Sequence, residues 1–349
     1  MLIAVYGASG YQAKLVLTEL SRRGIDAVLV GRDAERLRQA ATTVDLPTSP
    51  RRVADLTDHA ALVASFAGCD AVINCAGPFT NTGQAVVRAA IAAGCHYVDT
   101  AGEQLYLKTI FDTFTGEAER AGVTVVPATN DGCLPGDLIA HLIADQVPSI
   151  DEVTISHVIV GGGGPSRGSL RSALHTIDAF TTGGLTYDHG EWHTRLPARH
   201  TSVILPGDSE PTEMAQLPLT EVVTIPRHVS VDHVEGLVEA SLSARLSTPL
   251  SPTIINTLPE GPTEEARLTQ RFTYVIDAIT ANGNTVRGLV KGTDTYGTTA
   301  TVAVEAAHRL IADGAKPGVL APAQAFDPAG FLDFLTAHGL HWSINTDQP

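Results

Sequence analysis

Residues 2–13 read LIAVYGASGYQA, and this stretch decides the fold. Its first five residues are apolar or aromatic, which is typical of a strand buried on both faces of a sheet. Gly7 and Gly10 follow, where a tight turn and a close backbone approach to a ligand both favour a residue without a side chain. Ala13 is the third small residue, placed where a helix packs closely on a strand. The stretch therefore predicts a strand, a glycine turn and a helix in immediate succession.

A glycine turn between a strand and a helix is typical of a dinucleotide-binding site. The helix N-terminus offers unpaired N–H groups and a positive dipole end to a pyrophosphate. The spacing here, Gly-x-x-Gly-x-x-Ala, departs from the commoner Gly-x-Gly-x-x-Gly, so the interpretation depends on the strand and helix around it. We expect the residues of the turn to contact the cofactor, namely Gly7, Ser9, Gly10, Tyr11 and Gln12.

The end of the next apolar run, residues 27–30, indicates which cofactor binds. An NAD-binding site places a carboxylate there to hold the ribose hydroxyls. This chain instead has Gly31 and Arg32, with Arg36 one helical turn later. A guanidinium pairs with a 2′-phosphate through two hydrogen bonds, whereas a carboxylate would repel it. The sequence therefore predicts NADP(H) as the cofactor.

Short apolar runs alternate with helix-like segments over the first 134 residues. Alternation of this kind specifies a parallel sheet with helices on both faces. We therefore expect an α/β fold built on a doubly wound Rossmann sheet. The expected strands lie at 2–6, 27–30, 71–74, 97–99 and 123–127, with a weaker one near 52–54.

Two loops of this sheet should complete the cofactor pocket. Ligands bind beyond the carboxyl ends of the strands, where the strand order reverses. Small residues after the fourth strand would let the chain pass close to the ribose and the nicotinamide. We interpret the cysteine there as a packing residue, because the sequence pairs it with no base. The residues expected in these loops are Asp55 and Leu56 beside the adenine, then Cys75, Ala76, Gly77 and Pro78.

The sequence pattern changes in the second half of the chain. A strand-like run at 153–160 is followed by four glycines at 161–164 and by a helix-like segment at 169–180. Further strand-like runs follow, separated by turn residues and by an exposed polar loop at 206–218. Asn282-Gly283, between two such runs, is a strong hairpin pattern. This pattern of strand-like runs, turns and a helix-like segment predicts an α+β domain with a mixed or antiparallel sheet.

Composition limits the classes of partner. The chain carries 23 Lys and Arg against 38 Asp and Glu, a formal net charge of -15, which argues against a nucleic-acid partner. No run approaches the roughly 18 apolar residues that span a bilayer, and no secretory leader precedes the glycine motif. We expect a cytoplasmic protein that acts on a small molecule. The sequence is also compatible with assembly into a homodimer. The four cysteines match no zinc pattern and are expected to be reduced thiols.

Taken together, these segments resemble the saccharopine dehydrogenase-like family of NAD(P)-dependent oxidoreductases. Within that family the chain looks most similar to the trans-acting enoyl reductases, which reduce C=C bonds in polyketide or lipid assembly. Saccharopine reductases, which act at C=N, are a more distant likeness. The matching segments are residues 7–11, 30–32, 74–79, 97–103, 130–138 and, near the C-terminus, 317–323.

The resemblance implies a domain arrangement. It implies a C-terminal segment that returns to the first domain and an active cleft between the two domains. We therefore expect a Rossmann domain at 1–134 that residues 298–349 complete, and a substrate or catalytic domain at 135–297. The glycine run and the helix after it are expected to form the wall of the cleft opposite the cofactor, with a plain flexible connector as an equal alternative for the glycine run.

The proton donor is less well defined than the cofactor site. No Tyr is followed four residues later by Lys, so the pair used by short-chain dehydrogenases is absent. Candidate proton donors are Tyr187, His175, Tyr296 and Lys291, and Asp99 is a further catalytic candidate. Residues 187–190 are better interpreted as a hairpin turn than as a catalytic cluster.

Carboxylates at the ends of the fifth and sixth strands could hold a substrate, although capping a helix is an equal alternative. These are Asp99, Glu103 and Asp131, to which Arg171 is added as a possible substrate ligand in the first turn of a helix. The group His189, His193 and His200 has no carboxylate or cysteine companion on a defined element. Because hydride transfer needs no metal, we predict none.

Three functions remain open. The first is an NADP(H)-dependent reductase of an activated C=C or C=N bond in lipid or secondary-metabolite assembly. The second is a saccharopine-type amino-acid dehydrogenase, which would need arginines that converge on substrate carboxylates. The third is an NADP-sensing protein without catalysis. Candidate arginines in the second domain include Arg167, Arg171, Arg227, Arg271 and Arg287.

Overall fold

Seven parallel strands form the first sheet of the computed structural model, which describes residues 1–248 and 250–346. These strands are β1 (Leu2–Tyr6), β2 (Asp26–Gly31), β3 (Arg51–Val53), β4 (Ala71–Asn74), β5 (His96–Asp99), β6 (Thr124–Val126) and β15 (Gly318–Val319). Their order across the sheet is β15-β6-β5-β4-β1-β2-β3, so the order reverses between β1 and β4. The predicted doubly wound Rossmann sheet is confirmed.

Helices cover both faces of this sheet because its strands are apolar on both faces. In β1, Ile3 and Val5 pack into one core, whereas Ala4 and Tyr6 pack into the other. The first face carries α1 (Tyr11–Arg22), α2 (Ala34–Thr43) and α13 (Thr295–Ala312). The second face carries α3 (His59–Phe66), α4 (Phe79–Ala92) and α5 (Gln104–Ala121).

A second, mixed sheet follows, as predicted. Its strands are β7 (Glu152–Val160), β8 (Leu185–Asp188), β9 (Glu191–Thr194), β10 (Ser202–Val203), β11 (Thr212–Gln216), β12 (His233–Glu239), β13 (Arg271–Ile279), β14 (Thr285–Thr293) and β16 (His341–Thr346). The order is β10-β11-β12-β7-β13-β14-β16, with β8 on β12 and β9 on β8. Strands β7 and β12 are parallel, and the other pairs are antiparallel.

One apolar core joins the two sheets. Helix α6 (Leu134–Ala144) leaves the first sheet after β6 and packs on β13 and β14. A Cβ at Gly288 in β14 would collide with Ile139 of this helix, so only glycine permits the close approach. The same cluster of buried side chains includes Val5 of β1 and Ile276 of β13. The two sheets are therefore packed against a shared layer.

Two predicted hairpin turns are present. Strands β13 and β14 pair in register on either side of Asn282-Gly283, and Gly283 has φ 82°. Strands β8 and β9 are joined by His189 and Gly190, with φ of 47° and 92°. In the second turn, positive φ at both central positions matches the right-handed twist of the flanking strands. In the first, only Gly283 has a positive φ, within the longer loop 280–284.

Several short elements differ from the sequence-based expectation. The helix expected at 169–180 is two helices, α7 (Arg167–His175) and α8 (Ile177–Thr182), and the polar loop at 206–218 contains β11. The stretch expected to be strand-like also holds short helices, which span too few turns to show a helical period in sequence. They are α9 (Glu221–Thr224), the 3-10 turn Ile225–Arg227, α10 (Ala240–Leu246), α11 (Pro252–Thr257) and α12 (Glu264–Thr269).

The C-terminal part of the chain contacts both sheets. Helix α13 packs on α1, and β15 adds to the edge of the first sheet beside β6. Helices α14 (Pro322–Ala325) and α15 (Pro328–Thr336) then pack on α6. Strand β16 pairs with β14 in the second sheet instead of continuing along the first. The last three residues of the expected returning segment, 347–349, lie outside the described residues, and the domain boundaries stay predictions.

Helices α5 and α13 have 18 residues each. Helix α5 carries several charged side chains, and α13 carries Glu305 and Arg309. Among the described residues, no helix combines the length and the apolar character needed to cross a bilayer.

The packing of α15 generates a testable prediction. Phe331 is fully buried in the shared core, whereas Leu105 on α5 is 47% exposed. Replacing Phe331 with Ala should lower the free energy of unfolding by about 3–5 kcal/mol, because a large cavity replaces the ring. The matched control, Leu105→Ala, should change it by about 0.5 kcal/mol or less. Urea unfolding measures both, and equal effects would show that α15 does not anchor the core.

Candidate functional site

The glycine turn has the geometry of a ligand-binding loop. Gly7 has φ 76°, and a Cβ there would lie 2.8 Å from Cβ of Ala76 in the loop after β4. A Cβ at Gly10 would lie 3.1 Å from the carbonyl oxygen of Gly7. Both positions therefore favour glycine, and they bring the loops after β1 and β4 together at the point where the strand order reverses.

Helix α1 begins without a side-chain cap. Its N-cap residue is Gly10, which has no side chain to accept a hydrogen bond, whereas Asp33 and Asp58 cap α2 and α3. The first N–H groups of a helix have no intrahelical acceptor. The first N–H groups of α1 are therefore free to bind an anion, and this arrangement fits the pyrophosphate of a dinucleotide.

Arg32 and Arg36, which we predict to hold a 2′-phosphate, lie directly after β2 and in the first turn of α2. Both side chains are exposed, and within the described residues neither forms a hydrogen bond or an ion pair. Arg38, on the same helix, pairs instead with Glu35. Hydrogen bonds from Thr57 lower the pKa of Asp55, and the positive charge of Arg32 lowers it further. The side chains of Arg32 and Asp55 are therefore close to each other, after β2 and β3.

The second half of the chain covers the glycine turn through the side chains of α1. Tyr11 donates from its hydroxyl to the carbonyl of Pro262 at 2.6 Å, and Lys14 pairs with Glu260 at 2.6 Å. Gln12 donates to the carbonyl of Tyr296 at 3.1 Å. Tyr11 and Gln12 were predicted to contact the cofactor. Their side chains instead fasten residues 260–262 and 296 over the turn, which leaves their backbone N–H groups for that role.

Asp99 was predicted as a catalytic or substrate-binding carboxylate, and the structure corrects this. Its side chain is fully buried at the end of β5. Oδ2 accepts from the hydroxyls of Tyr97 at 2.9 Å and Tyr106 at 2.7 Å. Oδ1 accepts from the N–H groups of Ala101 at 3.1 Å and Ala128 at 2.8 Å. A carboxylate has about four acceptor positions, so none remains for a substrate.

Glu103 is likewise a structural residue. Its Oε1 accepts from the N–H of Phe79 at 2.7 Å, and its Oε2 accepts from the N–H and hydroxyl of Thr80 at 2.7 and 2.6 Å. These N–H groups open α4, whose N-cap residue Pro78 provides no side-chain cap. Glu103, in the loop after β5, therefore caps the start of α4.

Asp131, the third predicted carboxylate, lies between the two sheets. It accepts from the Tyr274 hydroxyl at 2.6 Å and from the Thr299 hydroxyl at 2.8 Å. Burial raises the pKa of this carboxyl above its ordinary value, and the two hydroxyls partly offset that rise. The carboxylate links the loop after β6 to β13 and to α13, at the carboxyl end of the first sheet.

His157 on β7 stacks on the ring of Tyr274, with 3.9 Å between the ring centroids. Its Nε2 lies 2.8 Å from Oε1 of the fully buried Glu221. The other edge of the ring faces the loop after β6, where a Cβ at Gly132 would lie 4.0 Å from Nδ1. Among the described residues, that Nδ1 has no hydrogen-bond partner. The sequence analysis missed His157, because a single histidine in an apolar strand carries no local pattern and its partner is distant in sequence.

Helix α7 covers the loop after β4. A Cβ at Gly77 would lie 2.9 Å from the hydroxyl of Ser172, and Asn81 lies 3.2 Å from Nδ1 of His175. The predicted opposite wall of the cleft and this loop are therefore in contact. Arg171 donates to Asn256 at 2.7 Å on α11, so its guanidinium is already bound.

Burial raises the pKa of the Cys75 thiol to about 12. The thiol is therefore protonated at neutral pH, which is consistent with packing and not with a nucleophile. Leu56, which was predicted to lie beside the adenine, packs against the apolar core on the face of the first sheet that α3, α4 and α5 cover.

The remaining proton-donor candidates do not come together. Tyr296 binds Ser166 and Ser169 through its hydroxyl, and Tyr187 packs edge-on against Trp192. Lys291 is exposed on β14, and His175 lies at the rim beside Asn81. None of these groups shares a contact with another, so the structure does not assemble them into one catalytic cluster.

Comparisons with known proteins confirm the predicted resemblance and the predicted cofactor. Residues 3–126 match the model of a family described as the saccharopine dehydrogenase NADP binding domain. A Mycobacterium tuberculosis protein provisionally named a trans-acting enoyl reductase is 31% identical over 183 residues, which are 50% of this chain and 44% of the relative. A Caenorhabditis elegans protein named for its lipid droplet localization is 30% identical over 146 residues, 39% of this chain and 34% of the relative. The chain thus spans less than half the length of these curated relatives.

A solved structure shares the fold over almost the whole chain. The apo form of saccharopine dehydrogenase (L-Glu forming) from Saccharomyces cerevisiae superposes with a TM-score of 0.64 at 14% identity, covering 99% of each chain. The similarity extends through both sheets, so the second sheet belongs to the same architecture as the first.

The unpaired guanidiniums generate a prediction about cofactor choice. Arg32→Ala should weaken NADPH binding by about 1.5–3 kcal/mol and leave NADH binding nearly unchanged, because only NADPH carries the 2′-phosphate. Arg38→Ala is the matched control, since Arg38 lies on the adjoining helix and already pairs with Glu35. Fluorescence titration measures both affinities. Equal affinity of the unmodified protein for the two cofactors would contradict the assignment.

Proposed function

We propose that this chain is an NADP(H)-dependent oxidoreductase that transfers a hydride to an activated C=C or C=N bond of a small metabolite. The observation that carries the proposal is the uncapped N-terminus of α1 beside two unpaired arginines. The matched NADP-binding domain and the names of the curated relatives support it. By analogy with those relatives, the substrate belongs to lipid or secondary-metabolite assembly.

The chain itself would bind and orient the reactants. Bound NADPH supplies the hydride. Gly77 and Gly102 are exposed at the carboxyl ends of the neighbouring strands β4 and β5, so the backbone there can approach a flat ring closely. Helix α7 covers the carboxyl ends of these strands, because its Ser172 lies against Gly77. The reacting bond would then lie between these loops and the second sheet.

His157 is the proton donor that the geometry favours. Glu221, buried without access to solvent, accepts from Nε2 and would stabilise the protonated ring. Nδ1 faces the loop after β6 and is free to donate a proton to the substrate. A buried carboxylate that orients a histidine in this way is a general device of acid–base catalysis. Tyr274 packs on the ring and keeps it in place.

The cleft favours an apolar substrate. Leu170, Leu174 and Ile177 follow one another at helical spacing along α7 and into α8, and each is only half-buried. None of the three belongs to the apolar cores of the described residues. Half-buried side chains that serve no core are available to line a ligand site. This supports an acyl-type substrate over a dicarboxylic amino acid.

The saccharopine-type alternative finds less support, because the arginines of the second domain do not converge. The five candidates have different partners, and only Arg167 and Arg171, one turn apart on α7, are neighbours. The pairs are Arg167 with Glu260, Arg171 with Asn256, Arg227 over the ring of Phe111, Arg271 with two backbone carbonyls, and Arg287 with Asp277.

Substrate panels test the proposed reaction. We expect NADPH oxidation, followed by absorbance, with a 2-enoyl thioester or with an imine that carries an apolar substituent. Saccharopine with NADP⁺ should give no reduction of the cofactor. Turnover of saccharopine would favour the amino-acid dehydrogenase instead. Tight NADPH binding with no turnover of any substrate in the panel would favour a cofactor-sensing protein.

The role of His157 leads to a mutational prediction. His157→Gln should lower kcat by about 10²–10⁴-fold, because the proton donor is lost, and should leave the affinity for NADPH unchanged. His193→Gln, at an exposed position of β9, is the control and should not change kcat. Steady-state kinetics with cofactor titration measures both quantities. A His157→Gln enzyme with an unchanged kcat would exclude this residue as the donor.

A further inference from the structure

A cluster of ionisable side chains lies at the end of the second sheet that points away from the cleft. Glu152 is the first residue of β7, and the glycine run that follows the last residue of β7 is roughly 26 Å away along the strand. Glu235 on β12 and Asp188 on β8 lie beside it, because these strands are neighbours in the sheet. The loop before β10 brings His200 over them.

Three of these side chains converge on one point. Nδ1 of His200 lies 2.9 Å from Oε1 of Glu152 and 2.9 Å from Oε1 of Glu235. One ligand atom from each residue lies within 4.8 Å of the other two. Four ligands around a tetrahedral ion with bonds of about 2.0 Å stand roughly 3.3 Å apart, so little movement is needed to admit an ion.

A second observation points to a ligand at the same place. His233 on β12 is fully buried, and its Nδ1 lies 2.9 Å from Oδ1 of Asp188. Its Nε2 has no hydrogen-bond partner and lies 3.8 Å from Oε2 of Glu235. A buried imidazole nitrogen without a partner is costly. A histidine that donates one nitrogen to a carboxylate and leaves the other free has the arrangement of a metal ligand.

We propose that Glu152, His200 and Glu235 bind a divalent transition-metal ion, and that a small movement brings Nε2 of the adjacent His233 into the fourth position. Two carboxylate oxygens and two imidazole nitrogens form a donor set that suits Zn²⁺. Arg199 is the only cation that touches the cluster among the described residues, and it pairs with Glu152 and Asp188. With neutral imidazoles, three carboxylates and one arginine leave two negative charges, which a divalent ion balances.

The ion would have a structural role. It would fasten the loop at 199–200 to β7 and β12, far from the proposed hydride-transfer site. Of the three histidines that the sequence pattern grouped, only His200 takes part, whereas His189 and His193 are exposed on the β8–β9 hairpin. A metal ion here departs from the sequence-based prediction of no metal, although the ion would take no part in hydride transfer.

Zinc binding by the full-length, tag-free protein tests the proposal. After treatment with a chelator, the protein should bind one equivalent of Zn²⁺ in a calorimetric titration. Zinc at about 100-fold above its Kd should raise the Tm by roughly 5 °C. His200→Ala lies on a loop and is the least disruptive variant, and it should lose most of both effects while its NADPH affinity stays unchanged.

The double variant His189→Ala/His193→Ala is the matched control and should bind zinc as the unmodified protein does. A second test variant, His233→Gln, should weaken zinc binding at least tenfold if Nε2 is a ligand. The proposal is wrong if the unmodified protein binds no zinc. It is also wrong if His200→Ala binds zinc as well as the unmodified protein does, or if only the control variant loses binding.

Discussion

Two buried carboxylates, Asp99 and Glu103, organise the end of the first sheet where a cofactor would bind. A carboxylate removed from water must find a complete set of donors within the protein. Asp99 takes donors from β5, α5 and the loops after β5 and β6, and thereby ties these segments together. Glu103 ties the loop after β5 to the start of α4. The loops that surround the crevice are therefore held in place by the protein before any ligand arrives, which lowers the cost of ordering them upon binding.

Much of the fold could be predicted from local sequence. Most strands of the first sheet are contiguous apolar runs, although β3 carries two arginines and β15 has only two residues, and Asn282-Gly283 marks the turn of the β13–β14 hairpin. The start of α4 has no local sequence signal, because the residue that caps it lies 24 positions further along the chain. Helices of four to seven residues, such as α9 and α10, are too short for a periodic pattern. The errors therefore fall where tertiary contacts, and not local propensity, determine the conformation.

The functional residues divide in the same way. The glycine turn and Arg32 each directly follow a predicted strand, so local sequence was enough to propose them. Asp99 was identified by its position at a strand end, but its neighbours decide its role, and they occupy every acceptor site that it has. The pairing of His157 with Glu221 joins residues 64 positions apart. No spacing rule predicts such a pair, because the contact exists only once the second sheet has formed.

The apolar layer around α6 also limits how the molecule can move. Hinge bending between the two sheets would split the apolar cluster that includes Val5 of β1 and Ile276 of β13, and would expose it to water. Helices α7 and α8 are different, because no residue of either is fully buried. Glycines with positive φ precede them at 161–164 and follow them at 183–184. Any change in the volume of the crevice is thus confined to this one segment, and substrate exchange would depend on local rearrangement there instead of on reorientation of the sheets.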